Sequence, residues 1–465
     1  MTDFLPAFRL GDVRGIYPDE LDEDFAVAFG HAFVHHFGLK GRIVTGRDMR
    51  DSSASLQAAL NHGLEKSGMD VLDIGLCTTE LGYFASAQPD IVAAIVVTAS
   101  HNPSQYNGFK CVLRNGEAVT FDSGLSEVMQ LMLGNHRNSG TRGSCRSLSL
   151  KDDYIEFLQQ QFSVENLGVG RIALNGLNGT AATLAGTLAK AFDLNYTWFR
   201  KEPGPIPSQG ADPVNQILAA QMQEFMRSDD FTLGVAWDGD CDRCVFFGSD
   251  GKLIPTYYII GLLAGHFLKQ HPAGAVVFDT KLCWNTFDVI AAHGGRAVPA
   301  ETGHAFMKRK MREHNAVYGG ELSSHHYFGP FFGCDSGMFA WLKVVEIINQ
   351  TGTSISELVQ ERRENISCTP EINLSLTDVD TAFDQVLSSY RDTALSVDYF
   401  DGLGFEMPGD WRFSLRQSKT EALVRVNLES RNATEAMLNG GAELLQRLKP
   451  FKADDADWEA RLIVQ

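Results

Sequence analysis

Long apolar runs are missing from this 465-residue sequence, and so are cysteines at regular spacing. None of its uncharged apolar stretches approaches the roughly 20 residues that a membrane-spanning helix needs, and no charged segment followed by an apolar one opens the chain. The eight cysteines are scattered, which predicts reduced thiols rather than a disulfide framework. These absences predict a cytoplasmic protein with no membrane partner.

Basic residues are also scarce. Lys and Arg total 40 against 58 Asp and Glu, so the formal net charge is -18. This balance disfavours a general nucleic-acid or anionic-membrane surface. A small anionic substrate stays compatible with it, because one pocket can gather Arg, Lys and helix N-termini inside an acidic protein.

The length predicts three or four domains, at roughly 100 to 200 residues per domain. Apolar, β-branched runs alternate with stretches of helical period, which favours α/β layers with largely parallel sheets. The predicted strands are residues 91–97, 171–174, 232–236, 275–278 and 316–318, and the predicted helices include residues 181–192 and 256–269.

The pattern changes near the C-terminus. Two strands, residues 411–415 and 422–428, surround a polar turn, and a helix over residues 434–448 follows, which indicates an α+β module. The predicted domains are residues 1–150, 151–250, 251–367 and 368–465.

Three predicted strands end in unusually polar loops, at residues 98–102, 238–242 and 319–326. Ligands of open α/β sheets bind beyond the carboxyl ends of the strands. Three similar modules could therefore each contribute one loop to a shared cleft.

The first loop reads TASHNP and places Ser100 and His101 at a strand end, with Lys110 close in sequence. This set suits a covalent phosphate carrier or another nucleophile. A polar turn closed by Asn-Pro explains the same residues. Both interpretations stay open on these residues alone.

The second loop reads DGDCDR. Its alternating carboxylates, Asp238, Asp240 and Asp242, can converge on a hard cation such as Mg²⁺, whereas the alternative is a solvated acidic turn. Cys241 and Cys244 form a C-x-x-C pair, but no second pair at zinc-finger spacing accompanies it. We therefore expect both cysteines to be small packed residues.

The third loop reads GGELSSHH. Its carboxylate, hydroxyls and imidazoles suit hydrogen bonds to vicinal sugar hydroxyls. The adjacent residues His325 and His326 could instead be a metal pair or part of a surface turn. Adjacent side chains diverge on a strand or helix, which disfavours the metal pair.

The C-terminal turn, residues 416–421, reads RQSKTE and concentrates two cations and two hydroxyls. These are the groups of a phosphate-binding site. An ordinary polar hairpin connection is an equally good explanation of this turn by itself.

Taken in order, these stretches resemble the α-D-phosphohexomutase family, in particular its bacterial phosphomannomutases. The resemblance covers nearly the whole chain. It is carried by residues 11–15, 46–48, the three loops and residues 416–420, with longer agreement at residues 236–240, 283–286, 301–306 and 325–328.

The resemblance implies an α/β protein of four domains around a central cleft, with three similar α/β domains and a C-terminal α+β domain. It implies an isomerase, an intramolecular phosphotransferase that interconverts mannose 6-phosphate and mannose 1-phosphate for nucleotide-sugar synthesis. The reaction would use an active-site phosphoserine, one Mg²⁺ per site and a hexose 1,6-bisphosphate. Its small-molecule partners would be hexose phosphates, and the chain would be a monomer or a homodimer.

The resemblance also assigns roles to individual residues. The metal ligands would be Ser100, Asp238, Asp240 and Asp242. The catalytic group around the transferring phosphoryl would be Ser100, His101, Lys110, Arg14 and His325, with Arg243 supporting the phosphoserine. The substrate would contact Lys281, Gly303, His304, Glu321, Ser323, Arg416, Ser418, Lys419 and Thr420.

Four residues depart from the family pattern: Gly11, Ser324, Lys419 and Ala422 stand where many members have Tyr, Gly, Asn and Pro. The second and third departures touch the sugar loop and the phosphate-binding turn, so they bear on the substrate rather than on the reaction class. The alternatives are a phosphoglucomutase or a dual-specificity enzyme, then a phosphoglucosamine mutase, a Mg²⁺-dependent phosphatase and a non-catalytic sugar-phosphate sensor.

Overall fold

The computed structural model describes residues 6–134, 142–208, 210–418 and 423–465. The chain divides into two compact units. The first unit comprises residues 1–254, 303–319 and 323–356, and the second comprises residues 255–302, 320–322 and 357–465. None of the helices in the described part of the chain combines the length and apolar character that crossing a membrane requires.

The first sheet of the first unit is mixed. Its strands run in the order β1-β5-β4-β2-β3-β7, with β6 paired to β5. The elements of this part are β1 Val13–Ile16, α1 Glu23–Phe37, β2 Arg42–Arg47, α2 Ser53–Lys66, β3 Asp70–Leu76, α3 Thr79–Ser86, β4 Ile91–Val97, β5 Tyr106–Leu113, β6 Glu117–Ala118, α4 Leu125–Leu133, β7 Cys145–Ser147 and α5 Lys151–Gln161.

Helix α1 shows why this layer folds as it does. Asp22 caps its N-terminus by accepting a hydrogen bond from the backbone of Phe25, and Gly38 ends it in the left-handed conformation. Phe29 and Phe33 of this helix are fully buried against the sheet. The apolar face of the helix therefore covers one side of the strands that carry the first polar loop.

The second sheet has the strand order β12-β11-β10-β8-β9. Strands β8, β9 and β10 are parallel, whereas β11 and β12 are antiparallel additions. The elements are β8 Ile172–Asn175, α6 Ala185–Ala191, β9 Tyr196–Phe199, α7 Gln216–Met226, β10 Leu233–Trp237, β11 Cys244–Phe247 and β12 Leu253–Ile254.

The next stretch of chain contributes elements to both units. In the second unit β13 and β14 form a parallel pair, and in the first unit β16 and β17 form an antiparallel pair. The elements are α8 Thr256–Gln270, β13 Ala275–Asp279, α9 Trp284–Ala292, β14 Arg296–Ala300, α10 His304–Glu313, β15 Tyr318–Gly320, β16 His326–Phe328, β17 Cys334–Asp335, α11 Gly337–Thr351 and α12 Ile355–Asn365.

The C-terminal part of the second unit is an antiparallel sheet with two further helices. Its strand order is β18-β23-β22-β21-β20, with β19 paired to β23. The elements are β18 Ile366–Cys368, β19 Ile372–Leu374, α13 Val379–Tyr390, β20 Ser396–Asp398, β21 Leu403–Met407, β22 Trp411–Gln417, β23 Val424–Arg431 and α14 Thr434–Leu448.

Most predicted elements are confirmed. The strand over residues 91–97 and the helix over residues 434–448 have the predicted bounds, and the other predicted strands up to residue 278 shift by a residue or less at each end. The predicted strand at 316–318 instead covers Tyr318–Gly320. The predicted helix at 181–192 begins as a 3-10 turn, because Leu184 leaves the helical region before α6 starts.

One expectation about the sheets is wrong. The sheets are mixed rather than largely parallel, because β5 and β11 return as hairpin partners of β4 and β10. This arrangement has a consequence for the polar loops. Each of the first two loops lies in the connection between a parallel strand and its antiparallel neighbour, which fixes the loop at both ends.

Candidate active site

Ser100 lies in the loop between β4 and β5 and is almost fully buried. Its Oγ donates a hydrogen bond to Oδ2 of Asp238 at 2.8 Å, and the Nδ1 atom of His101 lies 3.3 Å from Oγ of Ser100. Its backbone is in the left-handed region, with φ of 50°. A serine seldom adopts this conformation, so the fold must hold it there.

The acidic loop follows β10 in the second sheet. Asp238, Asp240 and Asp242 are all buried, and each offers a carboxylate oxygen within 4.8 Å of the others. The Oδ1 atom of Asp240 is buried and has no hydrogen-bond partner among the described residues. Three converging carboxylates with an unsatisfied oxygen form a donor set that suits a hard divalent cation. The cluster therefore fits a metal ion.

The two cysteines of the acidic loop are packed in the core. Both Cys241 and Cys244 are buried, and burial raises the pKa of both thiols well above the usual value. Among the described residues, the two groups that could hold a metal contain no cysteine. The interpretation of this pair as packed residues, rather than as zinc ligands, is the one the structure supports.

Lys110 projects from β5 into the acidic cluster. Its Nζ contacts Oδ2 of Asp240 at 2.7 Å and also the carboxylate of Asp242. Burial alone would lower the pKa of Lys110, but these carboxylates raise it above the ordinary value. The side chain is therefore an ammonium group, which suits the stabilisation of negative charge.

The pKa values of two carboxyls in the cluster are shifted in opposite directions. Burial raises the pKa of Asp238 well above its usual range, and the carboxylates of Asp242 and Asp240 add to the effect. Burial acts in the same direction on Asp242, yet Lys110 and His325 hold its pKa well below the usual range. The cluster thus concentrates negative charge next to Lys110. A further cation beside Asp238 would favour the ionised form of its carboxyl.

Arg14 and His101 complete the surroundings of the Ser100 loop. The guanidinium of Arg14 donates to Oδ1 of Asn102 at 2.8 Å and also pairs with Asp12. Burial, reinforced by Arg243 and Arg14, lowers the pKa of His101 well below its usual value. The imidazole is consequently neutral.

The third polar loop brings His325 to the acidic cluster. Its Nε2 lies 3.2 Å from Oδ1 of Asp242, and its Nδ1 lies 2.8 Å from Oγ of Ser323. The backbone of His325 also forms a β-bridge with Arg243, whose own N–H donates to Asp238 at 3.2 Å. The second and third loops are therefore joined through their main chains.

His304 follows Gly303 at the start of α10 in the first unit. Both ring nitrogens of His304 are buried without a hydrogen-bond partner among the described residues, and burial lowers the pKa of its imidazole. A Cβ at Gly11 would lie 3.6 Å from Nε2 of His304. The departure at Gly11 therefore leaves space beside an imidazole that the sequence predicts to contact the substrate.

Lys281, Glu321, Arg416 and Ser418 of the predicted substrate residues belong to the second unit. Glu321 is buried. Lys281 pairs with Oδ2 of Asp279 at 3.1 Å, and the backbone of Leu322 donates to the same oxygen. Burial and the neighbouring Glu321 raise the pKa of Asp279 to about 6. Asp279 thus connects Leu322 of the third polar loop to Lys281, which follows β13.

The predicted phosphate-binding turn begins inside β22, because the strand extends to Gln417. Arg416 is buried, and its Nε lies 3.8 Å from Oδ2 of Asp401, which accepts a hydrogen bond from the backbone of Thr302. The backbone of Ser418 donates to Leu423 at 2.8 Å. Three predicted or departing positions, Lys419, Thr420 and Ala422, lie outside the described residues.

Several residues that shape the site were not singled out from the sequence. Thr79 and Thr98 donate to Oδ2 of Asp240, at 2.6 and 3.2 Å. Asp335 lies 3.9 Å from His325 and pairs with Lys308 at 2.8 Å. Thr98 opens the TASHNP loop, whereas Thr79 and Asp335 reach the site only through the tertiary fold, so the motif pattern carried no signal for those two.

The α/β layers and the acidic cluster agree with comparisons to known proteins. Residues 6–132, 152–251 and 255–366 match the family descriptions "Phosphoglucomutase/phosphomannomutase, alpha/beta/alpha" domains I, II and III, respectively. A phosphomannomutase of Salmonella montevideo is 39% identical over 453 residues, which cover 96% of this chain and 99% of the relative. The chain therefore belongs to the phosphoglucomutase/phosphomannomutase family of enzymes.

Further similarities agree with this membership. A protein named "Phosphohexose mutases" from Xanthomonas campestris is 39% identical over 429 residues, which cover 92% of this chain and 95% of the relative. A crystal structure of a phosphoglucomutase/phosphomannomutase family protein from Burkholderia thailandensis matches with a TM-score of 0.84 and 28% identity, covering 96% of this chain and 97% of that chain.

Proposed function

We propose that this chain is a phosphomannomutase that interconverts mannose 6-phosphate and mannose 1-phosphate through a phosphorylated Ser100. One observation carries the proposal: the buried Ser100 hydroxyl is hydrogen-bonded to an acidic cluster that fits a metal ion, next to the Lys110 ammonium. The names of the relatives support the choice of mannose phosphate as substrate.

The proposed reaction begins with phosphate on Oγ of Ser100. The bond between phosphorus and Oγ breaks while a new bond forms to the free hydroxyl of the bound hexose phosphate, which gives a hexose 1,6-bisphosphate. The hydroxyl proton passes to a basic side chain, for which we propose the imidazole of His325 beside the acidic cluster. After the sugar turns end for end, the other phosphate returns to Ser100.

Charge stabilisation falls to the cations of the site. Lys110 and Arg14 would stabilise the transferring phosphoryl group, and Arg243 would support the phosphoserine. We propose Mg²⁺ as the metal, held by Asp238, Asp240, Asp242 and the phosphate on Ser100. When bound, it would neutralise negative charge during the transfer.

The remaining substrate contacts are also proposals. Glu321, Ser323 and His325 would bind sugar hydroxyls, and Lys281, Gly303 and His304 would lie beside the sugar and its phosphate. Arg416, Ser418, Lys419 and Thr420 would bind the phosphate that does not react. We further propose a cytoplasmic enzyme, monomeric or homodimeric, that is primed by a hexose 1,6-bisphosphate and feeds nucleotide-sugar synthesis.

The test is a coupled assay of mannose 1-phosphate with a bisphosphate primer and Mg²⁺, run on the wild type and on Ser100→Ala. We expect turnover to fall by several orders of magnitude in the variant, because the attacking and leaving oxygen is lost. Intact-mass measurement should show one phosphate on the wild type and none on the variant. Ser104→Ala, at an exposed serine of the same loop, is the matched control.

Two results would contradict the proposal. Near-normal turnover of Ser100→Ala with primer present would exclude the phosphoserine, and release of free phosphate without isomerised sugar would identify a phosphatase. The family description also names phosphoglucomutase, so glucose 1-phosphate is assayed in parallel. Equal turnover of both sugars would identify a dual-specificity enzyme.

A further inference from the structure

Arg50 is a buried arginine that lies just beyond β2, with only 4% of the residue exposed. Its guanidinium donates one hydrogen bond to a carboxylate and four to main-chain carbonyls. The acceptors are Oδ2 of Asp48 at 3.0 Å and the carbonyl oxygens of Ser100 at 2.9 Å, Asn102 at 2.7 Å, Pro103 at 2.7 Å and Tyr106 at 2.9 Å.

Three of the carbonyl acceptors, Ser100, Asn102 and Pro103, belong to the loop that carries the serine, and the fourth, Tyr106, is the first residue of β5. This loop has no regular secondary structure between β4 and β5, so its carbonyls need partners from elsewhere. One guanidinium supplies three of these partners and also bonds to the first residue of β5. It bonds to the carbonyl of Ser100 itself, the residue whose φ of 50° places it in the left-handed region.

A guanidinium is the side chain that can make this set of contacts. It is planar, presents five N–H donors in a fixed fork and stays charged when buried. Asp48 orients the fork: it accepts from Nε of Arg50 and from the backbone N–H of Arg50, and its own N–H donates to Val97 at the end of β4. The fork is therefore anchored to the strand that precedes the loop.

We propose that Arg50 is a positioning residue that holds the Ser100 loop in its reactive conformation. The proposal rests on the proposed function for the role of Ser100. The bond to the carbonyl of Asn102 extends the effect, because the side chain of Asn102 accepts from Arg14 at 2.8 Å. Arg50 thus fixes both the nucleophile and one cation placed beside it, without itself contacting the reacting atoms.

The test compares Arg50→Lys with the wild type. Lysine keeps the positive charge beside Asp48 but has three donors on a single nitrogen, so it cannot bridge four carbonyls. We expect kcat to fall by about a hundredfold or more, as a displacement of about 1 Å can cause, while KM changes by less than about threefold. The rate of Ser100 phosphorylation by glucose 1,6-bisphosphate, followed by intact mass, should fall equally.

A second measurement does not depend on activity. Amide hydrogen exchange in peptides that span residues 98–110 should become faster in Arg50→Lys, while peptides from α1 and β3 keep the wild-type rates. The matched control is Arg42→Lys, because Arg42 is the first residue of β2, the strand that precedes Arg50, but is exposed and pairs with Asp90 at 3.3 Å. We expect this control to leave kcat and exchange unchanged.

The outcomes separate the two proposals. If the wild type lacks mutase activity, the proposed function fails, and the exchange experiment still tests the loop. The positioning role is overturned if Arg50→Lys keeps both the wild-type kcat and the wild-type rate of amide hydrogen exchange. It is also overturned if amide exchange becomes faster throughout the first unit while kcat per folded molecule stays unchanged. Should Arg50→Lys not fold, Asp48→Asn disturbs the same fork from the other side, and the same pair of results decides.

Discussion

Asp240 has three structural contacts on one of its oxygens and an open position on the other. Its Oδ2 accepts from Lys110 and from the hydroxyls of Thr79 and Thr98, whereas its Oδ1 has no partner among the described residues. The carboxylate is thus fixed on one side and able to bind a ligand on the other. This division explains why a substitution here should affect metal binding more than folding.

We predict that Asp240→Asn weakens Mg²⁺ binding and activity together. The amide is isosteric but lacks the negative charge that a hard cation favours. The Mg²⁺ concentration for half-maximal activity should rise at least about tenfold, which corresponds to about 1.4 kcal/mol. Titration calorimetry checks the affinity directly, with Asp250→Asn in an exposed turn as control. A wild type that stays fully active in EDTA would show that the metal role is wrong.

Arg416 gives a prediction for the second unit. We expect Arg416→Ala to raise the KM for hexose phosphate more than it lowers kcat, because a phosphate that does not react is bound alike in ground and transition states. Loss of a charge-assisted hydrogen bond costs about 1.5 to 3 kcal/mol, or about tenfold to a hundredfold in KM. Steady-state kinetics measure this, with Arg447→Ala, at a half-buried arginine of α14, as control. An unchanged KM would place that phosphate elsewhere.

At the scale of elements, the Ser100 loop is packed by the acidic loop as well as tethered by Arg50. A Cβ at Gly239 would lie 2.6 Å from the carbonyl oxygen of Ser100 and 3.4 Å from Cβ of Ala211. The first distance is shorter than a van der Waals contact, so the two loops approach as closely as a glycine permits. The acidic loop therefore helps to define the position of the serine loop.

We predict that Gly239→Ala displaces the Ser100 loop and lowers kcat by about tenfold to a hundredfold, because a shift of about 1 Å in a reacting group has effects of this size. The matched control is Gly168→Ala, since a Cβ there would meet only Asn349, at 3.9 Å. Steady-state kinetics of both variants check the prediction. Equal, near-wild-type kcat values for the two would show that the close approach is not needed for turnover.

The predicted bounds of an element are correct where its periodic apolar pattern extends over many residues. They are wrong where the local backbone conformation determines the ends of the element. Helix α14 has an apolar face over its full length, and its bounds match the prediction. Strand β15 contains Gly319 and Gly320, which carry no apolar signal, so the prediction ended before them. The 3-10 turn before α6 depends on the backbone of Leu184, which composition does not encode.

At the scale of the whole molecule, the sequence identified the residues that carry motifs but not those that support them. Ser100 and the three aspartates follow strands in compact motifs, and the structure brings them together. Arg50 reaches Ser100 across 50 positions, and Glu80 reaches Ser336 across 256. Contacts between residues so far apart in sequence form only when the chain has folded, so no local sequence pattern predicts them.

Glu80 lies in the first turn of α3 and is fully buried. Its Oε2 accepts from the hydroxyl of Ser336, and from the backbone of Met338 at 3.2 Å, at the start of α11. Burial raises its pKa from 4.5 to about 8, despite these hydrogen bonds. The native state therefore retains a proton that the unfolded chain releases at much lower pH.

This shift predicts a pH dependence of stability with a definite sign. Between pH 4.5 and about 8 the native state binds more protons at Glu80 than the unfolded state does. Its contribution to the free energy of unfolding is therefore complete below pH 4.5 and is lost as the pH rises toward 8. In Glu80→Gln the amide oxygen can still accept the same two hydrogen bonds and cannot ionise, so this loss disappears.

We predict that Glu80→Gln has nearly the wild-type urea midpoint at about pH 5 and a clearly higher midpoint at about pH 8.5. At the higher pH its free energy of unfolding should exceed that of the wild type by on the order of a few kcal/mol, at about 1.4 kcal/mol per pKa unit. Other titrating groups, such as Asp238, contribute equally to both proteins and cancel in the comparison. The exposed Glu117→Gln serves as control and should follow the wild type at both pH values. If the curves of Glu80→Gln and the wild type stay parallel from pH 5 to 8.5, then Glu80 is ionised in the native state, and a compensating cation must lie closer to its Oε1 than the structure indicates.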